Sequence, residues 1–178
     1  MSSPFMSFFH TELEARGFKC VLFNFDYMEQ KRKMPDPQPK LQARYGNVVT
    51  EVMEKYHPKR LFIGGKSMGG RVASYIASSL PDLNGLIFLG YPLHPPGKPD
   101  QLRDSHLYEL TIPMLFISGT KDTFATKDLL EKVVKKIGSN ATLSWVQGGD
   151  HSLKRTRNDL DSLQTAATTI EHWVNSAS

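Results

Sequence analysis

Lys59-Arg60-Leu61-Phe62-Ile63-Gly64-Gly65-Lys66-Ser67-Met68-Gly69-Gly70 is the stretch that decides the fold of this 178-residue chain. A short apolar run of strand character ends in Gly65-x-Ser67-x-Gly69, and a helix-compatible segment follows at once. A turn this sharp lifts a serine above the end of a sheet. Cβ atoms at Gly65 and Gly69 are expected to collide with the neighbouring strand or helix, so glycine is required there. Ser67 then carries an exposed Oγ, and the helix N-terminus behind it favours developing negative charge. Ordinary glycine–serine loops also match five-residue patterns, so the surroundings must decide. A phosphate-binding reading fails on its own terms. Gly65-Lys66-Ser67 imitates the end of a P-loop, but the position five residues before Gly65 is Arg60, where that motif needs glycine.

On either side, apolar runs alternate with helical patterns. Ser3-Pro4 reads as an N-cap followed by proline at the first helical position, with Phe5, Phe8, Phe9 and Leu13 at helical spacing and Gly17 as the stop. Residues 20–25 read as a buried strand. Met34-Pro35-Asp36-Pro37-Gln38-Pro39 marks a loop. Leu41, Tyr45, Val48, Val49, Val52, Met53 and Tyr56 keep helical period up to Pro58. Strands are expected at 61–63, 86–89, 114–118 and 142–146, and helices behind Ser67, over 129–137 and over 160–174. The connection 91–106 holds four prolines and is expected to wall a pocket or to scaffold one. Five short apolar strands alternating with helices imply a single α/β domain over residues 1–178. Its architecture is a three-layer α/β/α sandwich around a mostly parallel sheet.

Function in such sheets sits at the carboxyl ends of the strands. Serine is a poor nucleophile unless a histidine takes its proton and an acid orients that histidine. The partners are expected in the order acid, then histidine, each just past a later strand. Asp122 follows the strand at 114–118 in Gly119-Thr120-Lys121-Asp122, and His151 follows the strand at 142–146 in Gly148-Gly149-Asp150-His151. Taken alone, Asp122 is equally a helix cap and His151 a loop histidine. Their agreement with Ser67 on one geometry makes Ser67, Asp122 and His151 the candidate catalytic set. Asp150 adjoins His151 and is read as a shaper of the loop.

Bulk properties bound the alternatives. With 39% apolar and 22% charged residues the chain has the composition of a globular protein. The single Cys20 allows no internal disulfide and fits a reducing compartment; in its apolar run it reads as a buried filler. No apolar run is long enough for a membrane span and no signal peptide is evident, so the expected location is the cytoplasm. The net charge of +4 is scattered. Lys31-Arg32-Lys33 and Lys154-Arg155 with Arg157 lack interleaved aromatics, which argues against nucleic acid, although the second cluster could bias a pocket towards anions.

With these pieces assembled, the chain resembles the α/β-hydrolase superfamily. More narrowly, it resembles the dienelactone-hydrolase-like branch that includes testis-expressed protein 30 and nonspecific-lethal-3 type domains. The resembling segments are Gly64 through Arg71, Gly90-Tyr91-Pro92-Leu93-His94-Pro95, Leu102-Arg103-Asp104, Phe116 through Asp122, and Gly149-Asp150-His151-Ser152. The resemblance implies a Ser67 nucleophile, an Asp122 orienting acid and a His151 base, with Met68 giving one oxyanion amide within an elbow bounded by Gly65 and Gly69. It implies an acyl substrate and no metal or organic cofactor. The superfamily's second oxyanion amide comes from a His-Gly-type loop just before a segment like Ser3-Pro4-Phe5-Met6, and no such loop precedes it here. Also missing is the strand that usually lies between residues 20–25 and 61–63. The expectation is therefore an α/β-hydrolase fold lacking its N-terminal strands, with an open sheet edge that invites a homodimer. A serine hydrolase is the leading reading, and a weakly active or inactive interaction module is the alternative.

Overall fold

The computed structural model describes residues 3–176. Its sheet has four strands, β1 (Leu61–Lys66), β2 (Leu83–Leu89), β3 (Met114–Gly119) and β4 (Ala141–Val146). They lie in the order β1-β2-β3-β4, and every pairing is parallel. Parallel strands need crossovers, and helices cover both faces of the sheet. The helices are α1 (Pro4–Ala15), α2 (Asp26–Glu29), α3 (Gln38–Tyr56), α4 (Met68–Ile76), α5 (Lys127–Ile137) and α6 (Leu160–Ser176).

The alternation of side chains along β3 separates the two cores. Met114 and Phe116 face the cluster formed with Leu41 and Tyr45 of α3, Val72 and Ala73 of α4, and Leu130 and Val133 of α5. Leu115 and Ile117 face the other cluster, with Phe9 of α1 and Leu163, Ala167 and Ile170 of α6. All six residues of β3 are buried, as a strand covered on both faces requires. The architecture is the expected α/β/α sandwich. None of the described helices is long and apolar enough to cross a membrane.

The structure departs from the sequence reading in three places. Residues 20–25 form no strand, so the described sheet has four strands and not five. An apolar run becomes a strand only where a ladder partner lies beside it, and none does. Side chains hold the segment instead, with Phe23 and Phe25 packing on Tyr45 of α3 at ring separations of 4.9 and 6.4 Å. Second, Gln38 and Pro39 belong to the first turn of α3 and not to the loop, since proline is tolerated where the helix needs no N–H donor. Third, the short helix α2 interrupts the segment before that loop. Cys20 is half-buried; burial pushes its thiol up to about 11, which keeps it protonated and unreactive.

The outer edge of β1 is closed at its middle by one side chain. The Tyr45 hydroxyl donates to the Gly64 carbonyl at 2.6 Å and accepts from the Gly64 N–H at 3.0 Å. The full burial of this phenol raises its pKa, so the hydroxyl stays a donor.

The proline-rich connection is pinned to α4. Arg103 N–H donates to Leu93 O at 2.7 Å, and the Tyr91 hydroxyl donates to Arg103 O at 2.9 Å. His106 stacks on Tyr75 at 4.0 Å, and its Nε2 lies 2.8 Å from Ser74 Oγ. Ser74 already donates its hydroxyl proton to Arg71 O at 2.7 Å, so the imidazole must be the donor. Burial lowers the His106 pKa to about 4, against about 6.5 for a free imidazole. Below the unfolded value the unfolded chain binds the extra proton. The stabilisation is therefore complete above about pH 6.5 and is lost as pH falls towards 4. Solvent screening of this half-exposed ring holds the effect to about 1 kcal/mol, or roughly 2–4 °C in Tm. His106→Gln should show a smaller loss of Tm between pH 7 and pH 4.5 than the unsubstituted protein in paired melts; equal losses would refute this account.

Candidate active site

Ser67 stands at the junction of β1 and α4 with φ 51° and ψ −119°. A non-glycine residue held in that region is strained, and the surroundings fix it there. Its N–H donates to Leu89 O on β2 at 3.0 Å, and its carbonyl accepts Arg71 N–H at 3.2 Å to begin the α4 ladder. The glycines around it have different tasks from those expected. A Cβ on Gly64 would lie 2.0 Å from Ile87 O, and one on Gly70 would lie 2.8 Å from Gly65 O. Gly65 is tight as expected, with a Cβ 3.2 Å from the Gly69 carbonyl carbon and from Gly70 N. Gly69 has nothing within 4 Å, so the expected collision there is absent. One residue further round the helix, position 70 faces the strand while position 69 faces away.

His151 follows β4 and reaches both partners. Its Nε2 lies 2.9 Å from Ser67 Oγ, and its Nδ1 lies 2.8 Å from Asp122 Oδ2. A carboxylate oxygen accepts, so Nδ1 carries the proton and Nε2 is left to accept from Ser67. Asp122 is 3% exposed, and its other oxygen accepts the Phe124 N–H at 2.8 Å. Asp122 does not cap α5, whose N-cap position is Thr126, with no capping bond from its side chain. Asp150 shapes the loop, its Oδ1 accepting the N–H groups of Ser152 at 2.7 Å and Lys154 at 3.2 Å. The structure thus brings together the three side chains singled out from the sequence. Met68 begins α4 directly after Ser67, and its N–H belongs to the orphan donors of the first turn.

Several contacts to His151 carried no signal in the sequence. Phe124 lies against the His151 ring at 4.5 Å between centroids. Gly90, at φ +67°, lets β2 end beneath the imidazole; a Cβ there would meet His151 O at 2.7 Å. Lys66, the unspecified residue before Ser67, donates from Nζ to His151 O at 2.8 Å and lies over the Phe5 ring at 4.8 Å. Burial lowers the Lys66 pKa, and the charges of Asp122 and Asp150 oppose that shift. Lys66 therefore ties the histidine loop to the serine turn through a single side chain.

Comparison with known proteins places this fold. An α/β serine hydrolase homologue from Coxiella burnetii superposes with a TM-score of 0.76 at 18% identity, over 93% of this chain and 75% of that one. A serine hydrolase without a lid from Xanthomonas campestris gives 0.75 at 20% identity, over 95% and 73%. An esterase from Pyrococcus furiosus gives 0.75 at 16%, over 96% and 75%. At these identities the likeness speaks for the fold. The family model described as "Alpha/beta hydrolase domain" matches residues 1–177, and the chain belongs to that family.

Proposed function

We infer that the chain is a serine hydrolase that cleaves esters or related acyl bonds. The observation that carries this is the continuous relay from Asp122 Oδ2 through His151 to Ser67 Oγ, at 2.8 and 2.9 Å. In the reaction, His151 Nε2 takes the Ser67 proton as Oγ attacks the acyl carbon. The tetrahedral oxyanion develops in front of the Met68 N–H and the α4 N-terminus, which stabilise it. Collapse expels the alcohol, which takes its proton from His151. Water, deprotonated by the same imidazole, then releases the acid and restores Ser67. Asp122 holds the imidazole in the productive tautomer. Two relatives are described as a serine hydrolase and an esterase, which favours the same chemistry here. The Tyr91-Pro92-Leu93-His94-Pro95 segment supports a place near the dienelactone-hydrolase-like branch.

A fluorophosphonate probe is expected to label the wild-type protein at Ser67, with Ser67→Ala unlabelled. A folded wild-type protein that stays unlabelled would defeat the hydrolase reading and leave the interaction module in its place.

A further inference from the structure

A second feature lies one helical turn beyond the nucleophile. A pocket of about 260 Å³ opens between α4 and the loop that leads into α3. Met68, Arg71, Val72 and Tyr75 line it from the α4 side, a spacing that sets all four on one helix face. Leu41 of α3 supplies apolar wall opposite, and Asp36 the lining carboxylate.

Arg71 is the anomaly. Its Nε is buried and has no partner, and its guanidinium makes no hydrogen bond or ion pair among the described residues. Asp36 does not relieve it, because that carboxylate is already committed. Asp36 Oδ1 accepts from Arg32 at 2.7 Å with Lys40 at 3.5 Å, and Oδ2 accepts the Tyr27 N–H at 3.1 Å. The hydrogen bond from Arg32 leads the interactions that hold the Asp36 pKa below the usual carboxylate range. A guanidinium with an orphaned buried donor costs free energy unless something outside the chain satisfies it. Planar, forked donors of this kind match a carboxylate in bidentate fashion.

The pocket also has a direction. Met68 follows Ser67 and belongs to both the elbow and the pocket wall, while Arg71 stands four residues on, about 6 Å along the helix axis. Its volume equals about nine water molecules at ~30 Å³ each, room for a short aliphatic arm with a charged end. We propose that the pocket receives the acyl arm of an ester whose far end is a carboxylate, and that Arg71 binds that carboxylate. The proposal rests on the hydrolase reading of Ser67. The half-buried Lys154 and the exposed Arg157 border a wider pocket of about 490 Å³ and are the competing anion site, but no buried orphan donor stands among them.

The test compares 4-nitrophenyl monoglutarate, which carries a free carboxylate, with its methyl-capped analogue. The wild-type ratio of kcat/KM values is expected to favour the free acid at least tenfold. Arg71→Gln should lower that ratio tenfold or more, and Arg71→Lys should keep part of it. Taking the ratio within each variant cancels any loss of folded protein. An unchanged ratio in Arg71→Gln overturns the proposal, as does a ratio that falls instead in the Lys154→Gln, Arg157→Gln double variant. A separate arm titrates Ser67→Ala protein with glutarate and follows the Arg71 Nε–H resonance. A saturable shift, absent on Arg71→Gln, is expected, and no shift overturns the proposal. If that shift is seen while wild-type protein cleaves neither ester, the pocket assignment survives and the hydrolase reading falls.

Discussion

Asparagine at position 122 is expected to lower kcat on an acyl ester by about 10⁴ and to leave the fold intact. Asp122 uses its two oxygens differently: Oδ1 accepts the Phe124 N–H at 2.8 Å, and Oδ2 accepts from His151 Nδ1 at 2.8 Å. Asparagine keeps the first bond only with its carbonyl oxygen towards Phe124, because its amide nitrogen would meet another donor there. The amide nitrogen then faces Nδ1 and donates to it. The imidazole must answer with a bare Nδ1, which moves its proton to Nε2, the atom 2.9 Å from Ser67 Oγ. A protonated Nε2 cannot take the serine proton, so the attack loses its base while every heavy atom stays in place. Matched Tm values with a collapsed kcat would separate this tautomer effect from unfolding. A variant with near wild-type kcat would show that Asp122 does not orient the histidine.

The legibility of that site in the sequence was uneven, and the reasons are physical. Ser67, Asp122 and His151 could be found because each sits at a strand end, and strand ends are marked by apolar runs stopping at glycine. Each residue alone was ambiguous, and only the shared rim of one parallel sheet resolved it. The segment 20–25 failed the same test, since apolar composition reports burial and not hydrogen bonding. Its neighbour across space, Tyr45, decides that it packs through Phe23 and Phe25 without a ladder. Gly69 and Gly70 differ by one position in the motif but by about 100° around the helix, so only the second meets the strand. Lys66 and Arg71 gave no signal either. What distinguishes them is a carbonyl beside one and a pocket beside the other, and sequence spacing encodes neither.

Gly119→Ala is expected to cost about 3 kcal/mol or more and to slow labelling of Ser67, although residue 119 touches no substrate. Gly119 ends β3, fully buried, where the chain after β4 crosses over it. A Cβ there would lie 2.2 Å from Gly149 O and 2.3 Å from Asp150 O, both backbone atoms. No rotamer change relieves a clash with backbone, so the 149–150 segment must move by close to an ångström. That segment is held from both ends: Lys121 N–H donates to Gly149 O at 2.8 Å, and Gly149 N–H donates to Val146 O at 3.0 Å. His151 is the next residue, and its two short bonds to Ser67 and Asp122 tolerate little displacement. Stability and reactivity should therefore fall together, with Tm down by roughly 6–12 °C and the fluorophosphonate labelling rate reduced at temperatures where the variant is still folded. Gly69→Ala is the matched comparison, since its Cβ meets nothing within 4 Å and alanine suits a helix. A Gly119→Ala protein that melts and labels as the wild type does would mean that the loop carrying His151 is not seated on the end of β3.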